Sequence, residues 1–72
     1  FDLARSGPVE LSVYDASGRK VKTLVDGTRS SGPYRVEWNG TDDAGRKVAS
    51  GVYHYRLRAD GVDTSRPMVL LK

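Results

Sequence analysis

The chain has 72 residues, a formal net charge of +3 and no cysteine, and 38% of its residues are hydrophobic and 29% charged. This length allows one domain with a small core, and the composition is typical of a folded domain rather than a disordered one. It excludes a disulfide framework, a thiolate metal site and, because no apolar run approaches the roughly 20 residues that cross a bilayer, a membrane-inserted helix.

The excess of positive charge raises the question of nucleic-acid binding. Arg35, Arg56 and Arg58 alternate with apolar or aromatic residues, as the charges on the solvent-exposed face of a strand do, and acidic residues are interleaved throughout. We therefore interpret the basic residues as part of a solvated face and expect no nucleic-acid partner.

The first half of the chain predicts short strands separated by turns. Apolar and polar residues alternate in three predicted strands, at residues 1–4, 9–14 and 19–25. Residues 15–18 are typical of a tight hairpin turn. Val21 and Leu24 are three residues apart and cannot share one face of a regular strand, so we expect a bulge or an early break of the strand near Thr23. Residues 26–33 are almost all turn residues and are expected to cross between sheets or along an edge.

The second half repeats this pattern, with predicted strands at residues 34–38, 46–50, 51–59 and 62–71. Asp60-Gly61 is a strong hairpin signal, in which both central residues are expected to have positive φ. Pro67 has no N–H to donate, so the last strand is expected at a sheet edge or broken at that residue. No segment has helical period, and the whole pattern predicts an all-β fold, a small immunoglobulin-like antiparallel β-sandwich of about seven short strands.

Most aromatic residues share the phase of apolar neighbours. Tyr34, Trp38, Tyr53 and Tyr55 are therefore expected to point inward and to have a structural role, whereas Tyr14 is out of phase and is expected to be exposed. The alternative is a flat surface of rings that stack on sugars, as in a carbohydrate-binding module. That alternative requires exposed, coplanar aromatic side chains.

We expect no catalytic activity and no cofactor. His54 is the single histidine, lies on the predicted outward face of its strand and has no predictable acid or base partner. Ser50 and Ser65 therefore have no plausible triad. Zinc would require three or four ligands that this chain does not supply.

One loop has the residue types of a calcium site. Asn39, Asp42 and Asp43 offer hard oxygen ligands beside glycines, but their spacing is not that of an EF-hand and no glutamate lies nearby in sequence. We expect no metal and interpret Asn39 and Asp42 as acceptors for the backbone amides of their own loop. All three residues remain the candidates to test if calcium binds.

The end of the chain is unusually apolar for an edge strand. Met68 and Leu70 are expected to face inward, which would leave two apolar side chains on the outer face. Either upstream segments cover that face or a partner does, by strand addition or through an apolar groove. We identify the candidate partner-binding segment as the last five residues of the chain: Met68, Val69, Leu70, Leu71 and Lys72.

Several short segments form a recognisable combination: Val13-Tyr14-Asp15, Gly18-Arg19, Val21, Thr23-Leu24-Val25-Asp26-Gly27, Trp38-Asn39-Gly40-Thr41-Asp42, Gly45, the run from Val48 to Leu57, and Met68-Val69-Leu70-Leu71-Lys72. Taken together, these segments resemble the FlgD immunoglobulin-like domain family, and in particular its relatives that act as C-terminal sorting domains of type IX secreted bacterial proteins. The resemblance covers essentially the whole chain, and its motifs are specific only in combination.

This resemblance implies a non-enzymatic β-sandwich whose final strand is recognised by protein components of the export or surface-anchoring machinery. It further implies structural roles for Trp38, Gly40, Gly45 and Gly51. We accordingly expect residues 1–72 to be a single monomeric domain, a fragment from the C-terminus of a longer protein that is secreted or held at the outer-membrane surface after passing through the periplasm. The flagellar relatives imply an alternative, a structural spacer or assembly module without a sorting role.

Overall fold

The computed structural model of the chain describes residues 1–71. These residues form strands, turns and loops, and they contain no helix that could cross a membrane. Every strand pairing is antiparallel, with one four-stranded sheet in the order β3-β2-β5-β6 and one two-stranded sheet of β1 and β4. The six strands are β1 (Asp2–Leu3), β2 (Gly7–Asp15), β3 (Lys20–Arg29), β4 (Gly32–Pro33), β5 (Gly51–Ala59) and β6 (Val62–Leu70).

The core lies between the two sheets, which confirms the predicted all-β antiparallel sandwich. Leu3 reaches in from β1, and Val9, Leu11 and Val25 face it from β2 and β3. Alternation along β2 places every second side chain on this inner face, since inward and outward positions repeat with period two. Partly buried side chains extend the core on both layers: Phe1, Leu24, Tyr34, Val36, Tyr55, Leu57 and Ala59.

The predicted strand at residues 34–38 is extended but is not a strand of either sheet. Its burial alternates as predicted, with Tyr34, Val36 and Trp38 half-buried and the residues between them exposed. Only Tyr34 has a backbone partner, Phe1, and among residues 1–71 no chain segment runs beside the rest of it. A strand requires ladder hydrogen bonds as well as a pattern of side chains, and the sequence pattern reports only the side chains.

Residues 26–33 cross from the four-stranded to the two-stranded sheet, as predicted, but only Ser30 and Ser31 lie outside the strands. β3 continues through Arg29 because β2 begins at Gly7 and pairs with it along its whole length, so that Pro8 faces Thr28 and Val9 faces Gly27. Cross-strand pairing therefore overrides the local preference of these residues for turns. The predicted short strand at residues 46–50 is reduced to one bridge, between Thr41 and Lys47.

The expected bulge in the third predicted strand is confirmed. The β2–β3 ladder steps from Val25 directly to Thr23, and again from Lys22 to Lys20. Leu24 and Val21 are thus the extra residues at two register shifts of the β2–β3 ladder. An extra residue shifts the inward–outward alternation by one position, so both apolar side chains can stay off the solvent face of β3.

The Asp60-Gly61 hairpin is also confirmed, since Ala59 pairs with Val62 on either side of it. The expectation of positive φ at both central residues is wrong: Gly61 has φ of 69°, but no non-glycine residue in the described chain has positive φ. Only Gly61, which has no Cβ, takes the left-handed conformation, and Asp60 does not. The turn thus avoids the steric cost of a positive φ at an aspartate. β6 runs unbroken through Pro67, which faces His54, and lies at the sheet edge, as the missing N–H predicts.

Candidate partner-binding surface

The outer face at the end of β6 carries neighbouring exposed aliphatic side chains. Val69 faces Val52 across the β5–β6 ladder, and these two residues are 66% and 50% exposed. Leu71, directly after β6, is 83% exposed. We call Val52, Val69 and Leu71 the apolar patch. Because β6 is an edge strand, the patch lies next to backbone groups of β6 that face away from β5.

The inward residues of the same segment belong to the core. Met68 and Leu70 are half-buried, and Met68 lines the space between the two layers. The predicted segment thus divides into two inward and two outward side chains, and its last residue, Lys72, lies outside the described residues. Of these four side chains, Val69 and Leu71 are the exposed ones that a partner would contact.

Trp38 joins the extended segment to the four-stranded sheet. Its ring meets Tyr53 of β5 edge-on with centroids 5.1 Å apart, and its Nε1 donates to the Thr41 carbonyl at 2.8 Å. Tyr53 is buried, and its hydroxyl donates to the Ala49 carbonyl at 2.6 Å. Both rings therefore have apolar contacts and a partner for the polar end, the usual arrangement for buried aromatic side chains.

The loop after Trp38 reaches the end of β6. Gly40 is buried with φ of 77°, and a Cβ built there would lie 3.4 Å from both Leu70 methyl carbons. Val48 then donates to the Gly40 carbonyl at 3.0 Å, which closes the loop. Gly51 begins β5 and faces Leu70 from the other side. The loop and the start of β5 thus hold the inward side of the candidate segment in place.

The acidic side chains of this loop bind its own backbone and the neighbouring strand. Asp42 Oδ1 accepts from the amides of Ala44 and Arg46 at 3.0 and 2.9 Å, and these bonds, that to Arg46 foremost, hold the pKa of Asp42 below its usual value. Asp43 Oδ1 accepts from the Thr23 amide at 3.0 Å. Asn39 Oδ1 accepts from the Thr41 hydroxyl at 2.6 Å, so the expectation that it accepts from a backbone amide is wrong. Among residues 1–71, no three His, Cys, Asp or Glu side chains are grouped so that they could hold a metal.

The first hairpin turn has the same arrangement of aspartate-to-amide hydrogen bonds. Asp15 Oδ1 accepts from the amides of Ser17 and Arg19 at 3.0 and 2.9 Å and from the Ser17 hydroxyl at 2.6 Å. The hydroxyl bond is the main cause of a lowered pKa at Asp15. Both turns share the sequence Asp-x-x-Gly-Arg-Lys-Val, at residues 15–21 and 42–48. That internal repeat was the sequence signal from which the second turn could have been predicted.

Charge pairs cover the outer face of the four-stranded sheet. Arg56 donates through Nε and Nη2 to both carboxylate oxygens of Asp63 at 2.8 and 2.7 Å, which lowers the pKa of Asp63 and raises that of Arg56. Arg58 lies 3.9 Å from Glu10. This is the solvated face that the alternation of Arg56 and Arg58 predicted.

Four residues singled out in the sequence remain to be placed: Tyr14, Ser50, His54 and Ser65. His54 faces Tyr14 and Pro67 across the sheet, so it has no acid or base partner in this ladder. Tyr14 is half-buried rather than fully exposed, because the neighbouring strands flank it on both sides. Ser50 precedes β5, and Ser65 is exposed on β6 opposite Arg56.

The aromatic residues do not form the platform that carbohydrate stacking requires. Tyr53 is buried, and Tyr34, Trp38 and Tyr55 are half-buried with their rings against the core or against one another. Phe1 stacks on Tyr34 with centroids 5.1 Å apart. These inward positions are those expected from their phase in sequence.

An apolar cavity of about 340 Å³ lies between the two layers, and we call it the interlayer cavity. Its lining residues are aliphatic or aromatic and come from both layers: Phe1, Leu11, Leu24, Val36, Trp38, Tyr55, Leu57 and Met68. A broader depression of about 710 Å³ lies at the other end of the molecule, where it is open to solvent and is lined by charges of both signs, including Glu10, Asp26 and Arg58.

Comparisons with known proteins agree with this architecture. The family model of the FlgD Ig-like domain matches residues 2–63, which is most of the chain and includes both Asp-x-x-Gly turns and Trp38. The match ends before the apolar end of β6. Searches of curated proteins and of solved structures gave no match. The extent of the family match shows that this chain belongs to the FlgD Ig-like domain family, a non-enzymatic one.

Proposed function

We propose that this domain is a non-catalytic recognition module that directs its parent protein to the bacterial surface, with the end of β6 as the recognition element. In this proposal the parent is a secreted protein that passes through the periplasm and is sorted across, or anchored at, the outer membrane by protein components of a type IX export machinery. The domain acts as a monomer and requires no cofactor or nucleic acid.

The observation that carries the proposal is the apolar patch. A domain of this size has a small core, yet two aliphatic side chains at the end of β6, Val69 and Leu71, are mostly exposed. Neighbouring apolar side chains on an exposed edge strand are typical of a protein-binding surface and a liability without a partner. The patch therefore supports recognition by a protein rather than by a small molecule.

The experiment separates the patch from the fold. A reporter is fused upstream of the domain in a bacterium with type IX export, and Val69→Thr with Leu71→Ser removes the outward apolar atoms. Deleting residues 68–72 is less informative, because it also removes the inward Met68 and Leu70. We expect a roughly tenfold fall in exported reporter, equivalent to about 1.4 kcal/mol of lost binding.

Val62→Thr is the matched control. Val62 is also an exposed valine of β6, 44% exposed, but it lies at the opposite end of the strand. Its replacement is expected to leave export unchanged. Wild-type export by the Val69→Thr, Leu71→Ser variant, with its thermal unfolding unchanged, would contradict the proposal.

The family match favours a second candidate, a structural spacer or assembly module without a sorting role. The match covers residues 2–63 and so rests on the sandwich and not on the apolar end of β6. Replacing the domain with an unrelated β-sandwich of similar length, about 35 Å in its longest dimension, distinguishes the two. A spacer tolerates the replacement, whereas a sorting module loses export.

A further inference from the structure

The apolar patch continues into a second row of side chains on the outer face of the four-stranded sheet. Residues two apart on a strand share a face, so His54 lies beside Val52 on β5. On β6, Pro67 likewise lies beside Val69. His54 faces Pro67 on one side and Tyr14 of β2 on the other. We call Tyr14, His54 and Pro67 the ring row.

The ring row and the apolar patch form one surface across β2, β5 and β6. Directly opposed residues on one face of a ladder have Cβ atoms about 4.5–5.5 Å apart, which lets their side chains touch. Pro67 is exposed, and Tyr14 and His54 are half-buried. Among residues 1–71 the two-stranded sheet packs against the opposite face, so the ring row is open to a partner.

The charged side chains nearest to His54 are cations. Arg56 is the next outward residue along β5, and Asp63 accepts from its Nε and Nη2 at 2.8 and 2.7 Å. Lys20 lies on the other side, where it faces Tyr14 across the β2–β3 ladder. None of the ion pairs among residues 1–71 includes His54. An imidazolium at this position would therefore have no counter-ion from the described residues.

The other neighbours of His54 on this face carry neither a carboxylate nor an ammonium group. They lie opposite it, diagonal to it or beside it: Tyr14, Pro67, Ser12, Ser65, Val52 and Val69. Asp15 is the carboxylate nearest to the ring row in sequence. It faces Tyr53, whose ring is buried against Trp38, and it accepts from the amides of its own turn. The surroundings of the imidazole are thus uncharged or cationic.

On the basis of the proposed recognition role, we propose that the ring row belongs to the same recognition surface as the apolar patch and that the partner is apolar opposite His54. Histidine is the side chain that changes its charge between pH 5 and pH 8. A partner that covers His54 without offering a carboxylate removes water from the imidazole, which disfavours the cationic form. The domain therefore binds with His54 neutral, and recognition weakens as the pH falls through this range.

The sign of this pH dependence identifies the chemistry of the partner. A partner with a carboxylate opposite His54 would form a charge-assisted hydrogen bond with the imidazolium and would bind more tightly as the pH falls. The apolar patch favours the first case, because Val52 and Val69 lie directly beside the ring row. A carboxylate placed there would lose its water against aliphatic side chains.

The test measures binding of the 72-residue chain to outer membranes isolated from a bacterium with type IX export. Binding is measured at about pH 7.5 and about pH 5.5, within the range over which histidine titrates. His54→Gln keeps a polar side chain that does not titrate, so it is the matched control for every other effect of pH. We expect the dissociation constant of the wild-type chain, divided by that of His54→Gln, to rise about tenfold at the lower pH.

Two further variants test the charge and the extent of the surface. His54→Lys carries its charge at both pH values and is expected to bind weakly at both. Pro67→Thr removes the exposed ring and is expected to weaken binding severalfold at both, without changing the pH dependence. Thermal unfolding of each variant at both pH values separates a loss of binding from a loss of folding.

The outcomes distinguish this inference from the recognition role on which it rests. Equal pH dependence of the wild-type chain and His54→Gln would overturn the inference and leave the recognition role intact. Binding that strengthens at the lower pH would place a carboxylate opposite His54 and overturn the apolar partner. Binding that Val69→Thr with Leu71→Ser does not weaken at either pH would contradict the proposed function, and this inference with it.

Discussion

Two turns in this domain have the same sequence pattern and nearly the same geometry but different structural roles. In each, an aspartate Oδ1 accepts from the amides two and four residues later, and a glycine follows with φ near 90°, at Gly18 and Gly45. In each, the aspartate also exchanges backbone bonds with the residues that close the turn. Asp-x-x-Gly-Arg is sufficient to specify this geometry, because every bond involved is local.

The difference lies in what the two turns connect. The first joins β2 to β3 within one sheet. The second turn closes on a single bridge, between Thr41 and Lys47. It is also bonded to β3, because the Asp43 side chain accepts from the Thr23 amide and the Asp43 amide donates to the Val21 carbonyl. The residue that corresponds to Asp43 in the first turn is Ala16. The comparison shows that local sequence sets the turn, whereas bonds to β3, including the extra acceptor at Asp43, attach the second turn to the sheet.

The largest expected effect comes from removing the aromatic side chain that leads into the second turn. Trp38→Ala loses the contact with Tyr53 and the bond to Thr41, and the partly buried site suggests a loss of about 3 kcal/mol in the free energy of unfolding. Trp38→Phe retains a ring and should lose about 1 kcal/mol. Urea denaturation followed by circular dichroism measures both. A loss below about 1 kcal/mol for Trp38→Ala would show that the second turn is anchored elsewhere.

The glycines provide the next comparison. Gly18→Ala and Gly45→Ala place a methyl group in open space but on a left-handed backbone, so each should cost about 1 kcal/mol and the two should be equal. Gly40→Ala adds a 3.4 Å contact with Leu70 to the same strain and should cost about 2 kcal/mol. Thermal unfolding of the three variants tests this order, and equal losses at all three positions would remove the argument for close packing at Gly40.

Asp43→Ala makes the second turn resemble the first at the one position where their contacts differ most. It removes the acceptor for the Thr23 amide, and the expected loss is about 1 kcal/mol. Amide hydrogen exchange should accelerate at Thr23 more than at Lys20, which lies at the first turn. The reciprocal Ala16→Asp should change stability by no more than about 0.5 kcal/mol. Exchange at Thr23 that stays at the wild-type rate would show that Asp43 does not hold the loop to β3.

The smallest expected effect is the response of both turns to acid. Asp15 and Asp42 have pKa values lowered from 3.8, so their carboxylates favour folding above that pH and lose this contribution as the pH falls below 3.8 toward the lowered values. Asp15→Asn and Asp42→Asn keep an acceptor oxygen but do not titrate. Each should therefore reduce the fall in unfolding temperature between pH 5 and pH 2.5, and a fall as steep as in the wild-type chain would contradict the assignment.

Much of the candidate surface was predictable because it follows from alternation. The alternation of the sequence predicted that Met68 and Leu70 point inward, which leaves Val69 and Leu71 on the outer face. Pro67 restricted the strand to a sheet edge or a break, and the structure places it at the edge. The exposure of the patch was not predictable in the same way. It depends on which segments lie over the outer face, and among the described residues the two-stranded sheet covers only the opposite face.

The sequence by itself determined the features that rest on neighbouring residues: the all-β class, the two hairpins, the bulges that Val21 and Leu24 require, and the inward phase of the aromatics. Tertiary structure decided the features that rest on distant partners. β3 extends through turn-forming residues because β2 lies beside it, whereas residues 35–38 alternate as a strand does but pair with no backbone segment among residues 1–71. Hydrogen bonds between segments far apart in the chain form only where the fold brings them together, so a local pattern predicts a strand's faces but not its neighbours.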